Sequence, residues 1–414
     1  GEVPLGLAVD VGTTKLAAYL VDMTTGRTLA AQGAMNPQIA YGEDVMARLT
    51  YARQHETGAD ELQAAVVEAI GELLQELCQE GERHCDQVVE AVLVGNTAMH
   101  HLLLGLPTRQ LGEAPYVPAV REALDVKAHD LDMSLAPGAY VHLLPNIAGF
   151  VGADHVAMLL ATGIDESAER VLGLDIGTNT EVALRANGRF LACSTASGPA
   201  FEGAHIQHGM RAAAGAIEHL RIAPSGVEYQ AIEDLPPVGL CGSGILDAVA
   251  QMRLAGVLND RGGFLNEHPR VREGERGLEF LLVPAAESGT GQDIVLTRGD
   301  VGEIQLAKGA IQAGINVLLD EAQLQAEELD AVIVAGAFGT YIDIDSAIAI
   351  GLLPDLPRER FRQVGNAAGM GAKRALLSRA ERRRAQQLAR EVEYIELTTD
   401  PRFSIQFAEA MLIP

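Results

Sequence analysis

The sequence predicts an α/β protein built twice over, each half a mixed sheet flanked by helices. The first observation behind this is a repeated phrase, Asp10-Val11-Gly12-Thr13-Thr14-Lys15 and later Asp175-Ile176-Gly177-Thr178-Asn179-Thr180. Each copy lies between short apolar runs, Leu5 to Val9 and Leu16 to Val21, then Val171 to Leu174 and Val182 to Leu184. A strand, a tight turn and a returning strand make each copy a β-hairpin rather than a strand-to-helix phosphate loop. The second observation is the order that follows each hairpin, strands first and then alternating helix and strand. The third is size: 414 residues, 48% of them apolar, are enough for two or three cored domains.

Taken in order, strands are expected at about 5–11, 16–22 and 28–34, then helices near 42–55 and 60–80. The second helix carries Leu62, Val66, Leu73 and Leu77 on one face. Val88 to Val94 reads as a buried strand, followed by a helix after Gly95-Asn96-Thr97. Residues 105–139 are rich in proline and charge and read as an inserted surface excursion. A strand at Val141 to Leu144 and a helix over 151–162 close the first half. The hairpin pattern restarts at Val171, Val182 and Phe190. Helices at 243–257, 303–325 and 366–389 and strands at 331–335 and 391–397 complete the chain. The hinge falls near 163–170, giving domains 1–165 and 166–414, the latter with a C-terminal extension.

A formal net charge of −25 argues against a nucleic-acid-binding surface, whose footprint is basic. The one basic cluster, Arg382 to Arg384, reads as the solvated face of a helix. No stretch approaches the roughly 20 apolar residues of a membrane span, and no secretory signal opens the chain. Neither a membrane nor a nucleic acid is therefore an expected partner. Cys78, Cys85, Cys193 and Cys241 form no Cys-x-x-Cys pair and read as incidental thiols of a cytoplasmic protein.

The chemistry is expected at the turns. Gly12 and Gly177 let the backbone pass close to an anion, and Thr13, Thr14, Lys15, Thr178 and Asn179 follow as phosphate donors. Asp10 and Asp175, each at the end of the first strand of its hairpin, suit a Mg²⁺ ion held directly or through water. Two such turns, each opening half of the chain, suggest a nucleotide gripped from both sides. Other glycine turns end strands at Val94-Gly95-Asn96-Thr97 and at Gly336-Ala337-Phe338-Gly339, and Gly242 and Ser243 open a helix whose N-terminal N–H groups make a ready anion or hydroxyl site. Asp154 reads equally as a first-turn carboxylate favoured by the helix dipole and as a carboxylate facing the γ-phosphate. Lys308 lies on an amphipathic helix, its stem either flanking a purine or snorkelling at the surface.

These hairpins, the Val-Gly-Asn-Thr connector and the late Gly-Ala-Phe-Gly turn resemble the acetate and sugar kinase, heat-shock chaperone and actin superfamily. That resemblance implies two actin-like, ribonuclease H-like domains with a nucleotide cleft between them. A narrower resemblance rests on Asn36-Pro37-Gln38-Ile39-Ala40-Tyr41-Gly42-Glu43-Asp44-Val45, Leu144 to Asp154, Cys241-Gly242-Ser243-Gly244-Ile245 and Gln305 to Ile311. With Asp400-Pro401-Arg402-Phe403 these are similar, end to end, to the C-terminal ATPase region of reductive activators of corrinoid proteins.

The resemblance implies ATP and Mg²⁺ as cofactors, Asp10 and Asp175 around the metal, and Gly336 to Gly339 on the nucleoside. Its partner would be a corrinoid protein in the Co(II) state, driven to Co(I) at the expense of ATP. Full-length members carry an N-terminal plant-type [2Fe–2S] domain, and the cysteines for it are absent here. The glycine start agrees with a truncated protein or isolated domain, so the cluster is expected only in the full-length protein. The alternative is a small-molecule phosphotransferase of the sugar-kinase type with Asp154 as base. The apolar residues from Val392 to Met411 suit either a strand and helix folded back on the second domain or a two-fold contact between chains. The resemblance favours a homodimer.

Overall fold

The computed structural model describes residues 3–167, 169–223, 226–265, 268–336 and 338–414. The chain divides into two compact units, one of 3–167 with 188–192 and 366–394, the other of the remaining described residues. In the first unit the opening hairpin is β1 (Leu5–Val11) and β2 (Lys15–Asp22), extended by β3 (Thr28–Met35). Helices α1 (Val45–Gln54) and α2 (Gly58–Glu80) follow, and α2 buries Leu62, Val66, Ile70, Leu73 and Leu77. That is the apolar face expected from its spacing, and it joins the core formed with β1, β2 and the next strand. The rest of the first half is β4 (Val88–Gly95), α3 (Thr97–Leu103), β5 (Leu124–Lys127), β6 (Tyr140–Leu143) and α4 (Ala153–Thr162).

The six strands lie in the order β3-β2-β1-β4-β6-β5. The hairpin is antiparallel, whereas β1, β4 and β6 run parallel, so the sheet is mixed as expected. The 105–139 segment is more than a surface excursion. Its strand β5 pairs with β6 at the sheet edge, and Leu111, Ala128, Leu131, Met133 and Ala139 enter the core.

The second unit repeats the theme. β7 (Val171–Asp175) and β8 (Thr180–Ala186) form the second hairpin, followed by β9 (Arg189–Thr195). β10 (Ala216–Ala223), β11 (Gly226–Ala231) and β12 (Gly239–Leu240) make a small sheet before α5 (Gly242–Leu254). β13 (Val271–Gly274), β14 (Gly277–Val283) and β15 (Ile294–Thr297) make another before α6 (Arg298–Ala322). Neither small sheet is announced by the sequence periodicity. β16 (Ala331–Ala335), α7 (Ile344–Ala349) and β17 (Phe361–Gly365) follow, giving the order β17-β16-β7-β8 with β16 parallel to both neighbours but β7 and β8 antiparallel. Helix α6 starts five residues earlier than its periodicity suggests. Thr297 and Asp300 cap it reciprocally: Thr297 Oγ1 accepts from Asp300 N, and Asp300 Oδ2 accepts from Thr297 N.

The segment after β17 returns to the first unit. The expected single helix over 366–389 is two, α8 (Ala367–Leu377) and α9 (Arg379–Glu391), broken where Ser378 turns extended and caps α9. Small residues let α8 lie almost backbone to backbone on α4: a Cβ at Gly371 would come within 2.0 Å of the Ala157 carbonyl oxygen. Arg374 donates to the last-turn carbonyl of Leu160 at 2.8 Å. Arg382 pairs with Glu90 at 2.7 Å and Arg384 with Asp165 through two contacts, both guanidinium groups largely covered. Two arginines of the basic cluster thus form a clasp within the unit, while Arg383 between them is exposed. The sequence suggests a contiguous division at 165/166; the first compact unit instead runs on to 167 and takes in 188–192 and 366–394 as well.

Of the strand expected at 391–397 only β18 (Glu393–Tyr394) forms, parallel to the start of β9. The final helix α10 (Pro401–Ala410) folds back on α6, with Arg402 on Glu321 at 3.0 Å and Asn316 on Gln406 at 3.0 Å. No helix among the described residues is long and apolar enough to cross a membrane.

His100 and His155 are buried in the first unit, and desolvation pulls both imidazoles down to about 3. Between that value and the roughly 6.5 of an unfolded histidine, only the unfolded chain takes up their protons. Stability therefore falls with acidification from pH 6.5, each ring contributing about 1.4 kcal/mol per pH unit. In urea unfolding at pH 7 and pH 5, His155→Leu should lose less stability between the two than the unmodified protein. An unchanged difference would remove His155 from the acid response.

Candidate nucleotide site

In the first unit, register sets the geometry. Parallel pairing of β1 and β4 places Asp10 opposite Val94 and Val11 opposite Gly95, so the hairpin turn and the Gly95-Asn96-Thr97 connector emerge side by side. Asn96 joins them, its Nδ2 donating to Thr13 Oγ1 at 2.9 Å while its Oδ1 caps α3 at Met99 N, 3.0 Å away. Thr97 Oγ1 donates to Ala148 O at 2.6 Å, tying in the loop before α4. Gly152, the cap of α4, rests on this connector: a Cβ there would lie 2.5 Å from Asn96 Cα and 2.6 Å from Gly95 O. Asp154 stands in the first turn of α4, just after this contact. Its Oδ1 accepts from His155 N at 2.8 Å, and desolvation, the larger effect, lifts its pKa to about 6. The structure thus sets Gly12, Thr13 and Thr14 beside the connector on which Gly152, two residues before Asp154, rests. Asp10 lies opposite Val94 at the same strand ends, and its charge helps to raise the Tyr19 hydroxyl on β2 after burial.

Sequence reasoning missed what braces this turn. Asn36 Nδ2 donates to Gly12 O at 2.9 Å, and Asn36 N donates to Thr14 O at 2.9 Å. Arg48, fully buried, reaches Thr13 O at 2.5 Å and Gly42 O at 2.9 Å. The Asn36-to-Val45 stretch was visible as a motif, but nothing in it showed that it wraps the hairpin turn.

The second unit builds its turn differently. Thr178 Oγ1 donates to Glu202 Oε1 at 2.7 Å, and Ser197 Oγ donates to Gly177 O at 3.0 Å and lies 2.8 Å from Thr180 Oγ1. Parallel pairing sets Ala335 opposite Asp175, bringing the late glycine turn against the hairpin. Gly336, at φ 92°, leaves no room there: a Cβ would lie 2.4 Å from Ile176 O and 2.9 Å from Asp175 Oδ1. Gln363 Nε2 holds this turn through Gly339 O at 2.7 Å and Ile342 O at 3.0 Å. The Phe338 ring stacks on Phe201 at 4.7 Å, and Gly242 sits where a Cβ would strike both residues. Ser243, beside it, is buried. Gly177, Thr178, Asn179, Gly242, Ser243, Gly336, Phe338 and Gly339 thus belong to converging turns, and Ala337 lies outside the described residues.

Two expected site residues stand apart. Lys308 has no exposed surface, and its ammonium donates to Leu412 O and, at 3.5 Å, to Gln312 Oε1. In this conformation it offers no face to a purine. Instead it anchors the segment after α10, helped by Gln305 Nε2 on Met411 O at 2.6 Å. Lys15 starts β2 with an exposed side chain at the rim of the first turn. Among the described residues no cluster of three His, Cys, Asp or Glu side chains forms a metal cage. The donors at the turns, the carboxylates of Asp10, Asp175 and Glu202 and the threonine hydroxyls, are the hard oxygens that Mg²⁺ takes, usually with water and phosphate completing its shell.

Paired hairpins of this kind, each with a second glycine turn set beside it by parallel strands, define the class of actin-like nucleotide-binding folds. The chain belongs to the family of the reductive activator RACo: residues 5–167 match the RACo middle region, and residues 169–414 match the C-terminal domain of RACo, the ASKHA domain. It is 37% identical over 408 residues to the corrinoid activation enzyme RamQ of Eubacterium limosum, covering 96% of this chain and 68% of that one. It is 26% identical over 434 residues to a [Co(II) methylated amine-specific corrinoid protein] reductase of Methanosarcina barkeri, covering 96% and 75%. A solved reductive activator for corrinoid, iron–sulfur protein superposes with a TM-score of 0.91 at 41% identity, covering 100% of this chain and 67% of that one.

The fit of Gly336 against Asp175 is testable. Gly336→Ala should cost several kcal/mol, a positive-φ penalty of about 1–2 kcal/mol plus an overpacking cost of about 1–3 kcal/mol. Gly188→Ala, also at positive φ but with open space around it, should show only the first part. Equal losses of unfolding midpoint in the two variants would show that the close contact is unimportant.

Proposed function

We propose that this protein is the ATP-binding and ATP-hydrolysing part of a reductive activator of corrinoid proteins. The observation that carries this is the match of residues 5–167 and 169–414 to the RACo family together with two phosphate-type hairpins at parallel strand ends. In this reading Gly12 to Lys15 and Gly177 to Asn179 hold the phosphates, and Gly336 to Gly339 hold the nucleoside. Asp10 and Asp175 hold Mg²⁺, which supplies charge neutralisation for the phosphates. Asp154 accepts a proton from the attacking water, for which a pKa of about 6 is well placed near neutral pH.

The partner is a corrinoid protein carrying Co(II). One electron from a low-potential donor reduces it to Co(I), while ATP is hydrolysed to ADP and phosphate. The electron comes from outside the described residues, consistent with a separate iron–sulfur domain. Coupling needs the ATP-bound and ADP-bound forms to differ in affinity for the Co(II) partner, because a ligand with equal affinity for both states shifts nothing. We place the protein in the cytoplasm and propose that it pairs as a homodimer through its second unit, which light scattering at micromolar concentration would check.

The test is ATP-dependent formation of Co(I) on a purified corrinoid protein, followed by its absorption, with a one-electron donor present. Asp10→Ala and Asp175→Ala should each abolish Mg-ATP hydrolysis with the fold kept. Asp154→Asn should slow hydrolysis roughly 10²-fold with ATP affinity nearly kept. The rate of the unmodified protein should fall as pH drops through 6, where Asp154 protonates, and that inflection should vanish in Asp154→Asn. Phosphoryl transfer to a small hydroxyl acceptor in place of partner reduction would favour the kinase alternative.

A further inference from the structure

Arg48 is among the largest fully buried side chains in the protein, and a buried cation is ordinarily paired with a carboxylate. Among the described residues it has no ion pair. Its donors go to neutral acceptors: Nε to Gly42 O at 2.9 Å, Nη2 to Thr13 O at 2.5 Å, and Nη1 to Gln38 Oε1 at 3.2 Å and Met99 Sδ at 3.3 Å. Burial draws the guanidinium down to about 10, so it stays charged at neutral pH, and Asp44 acts on it only at a distance. Gln38 is itself fixed, its Nε2 donating to Leu62 O at 2.8 Å.

Two consequences follow for the Gly12-Thr13-Thr14 turn. Its carbonyl at Thr13 is held back by Arg48 and its carbonyls at Gly12 and Thr14 by Asn36, which leaves the turn one backbone shape. A positive charge with no carboxylate in contact with it among the described residues also lies behind that turn, one hydrogen bond from Thr13 O. The field of a desolvated charge is weakly screened, so an anion in front of the turn offsets a cost that the free protein carries.

We propose that Arg48 is a positioning residue for polyphosphate: it shapes the first hairpin turn and supplies the buried counter-charge that an anion on that turn completes. The inference rests on the nucleotide reading above and deepens it. Arg48 touches no ligand; it acts through Thr13.

Arg48→Met and Arg48→Lys separate shape from charge, with ATP and adenosine as ligands. Arg48→Met should bind Mg-ATP about 10- to 100-fold more weakly, the scale of a lost charge-assisted hydrogen bond. Adenosine, followed by ligand-observed NMR, should bind as before. Arg48→Lys should lose less, roughly 3- to 10-fold, because it keeps the charge but cannot serve Thr13 O, Gly42 O and Gln38 together. Parallel weakening of ATP and adenosine would make Arg48 a general folding residue, and unaltered ATP binding in a folded Arg48→Met would overturn the proposal. If Arg48→Met does not fold, the same comparison in Arg48→Lys decides, with equal loss for both ligands or loss for neither as the overturning results. Should the unmodified protein bind no ATP, the nucleotide reading fails first. Amide exchange at Thr13 and Thr14 still tests the brace: faster exchange in Arg48→Lys supports it, and unchanged exchange removes it.

Discussion

Parallel strands in one sheet end on the same edge, and the register between them decides which turns become neighbours. In the first unit Val11 lies opposite Gly95, so the hairpin turn and the connector leave the sheet together. In the second, Asp175 lies opposite Ala335, and the late glycine turn emerges against the hairpin. A slip of one residue would carry the wrong face of each strand into the core and separate these turns. Asn96 on Thr13, Gly152 on Asn96 and Gly336 on Ile176 all presuppose that register. The hydrophobic strands therefore set the chemistry of the edge through their pairing, with Asp10 and Asp175 as the carboxylates they carry there.

The two units reach similar turns by different supports. The first uses side chains from a later stretch, Asn36 and Arg48, to hold carbonyls of the turn from behind. The second uses hydroxyl and carboxylate groups, Ser197, Thr180 and Glu202, with no guanidinium among them. Carbonyls in both turns are therefore occupied by protein groups.

Much of this was legible in the sequence. The hairpins stood out because Asp-x-Gly-Thr interrupts short apolar runs, and α2 showed its face through Leu62, Val66, Leu73 and Leu77. The braces were not legible. An arginine in an amphipathic stretch reads as a surface group, and only three-dimensional enclosure shows Arg48 to be internal. Lys308 misled for the same reason. The short sheets around α5 and α6 escaped because several of their strands are half-exposed and mix charged with apolar residues, as in Val271–Gly274. The true start of α6 was written in Thr297 and Asp300, a capping signal weaker to the eye than the apolar period that follows it.

The clasp of Arg382 on Glu90 and Arg384 on Asp165 bears on synthesis. The first unit is discontinuous, and its last two helices leave the ribosome some two hundred residues after α4. Until then α4 has no neighbour for the Ala157 ridge on which Gly371 later rests, while the whole of 169–365 is already available to fold. Domains generally complete in the order in which they emerge. Here the unit that begins first stays incomplete until residue 394 has been made, and the nascent chain carries an open apolar flank that chaperones would meet before the protein is whole.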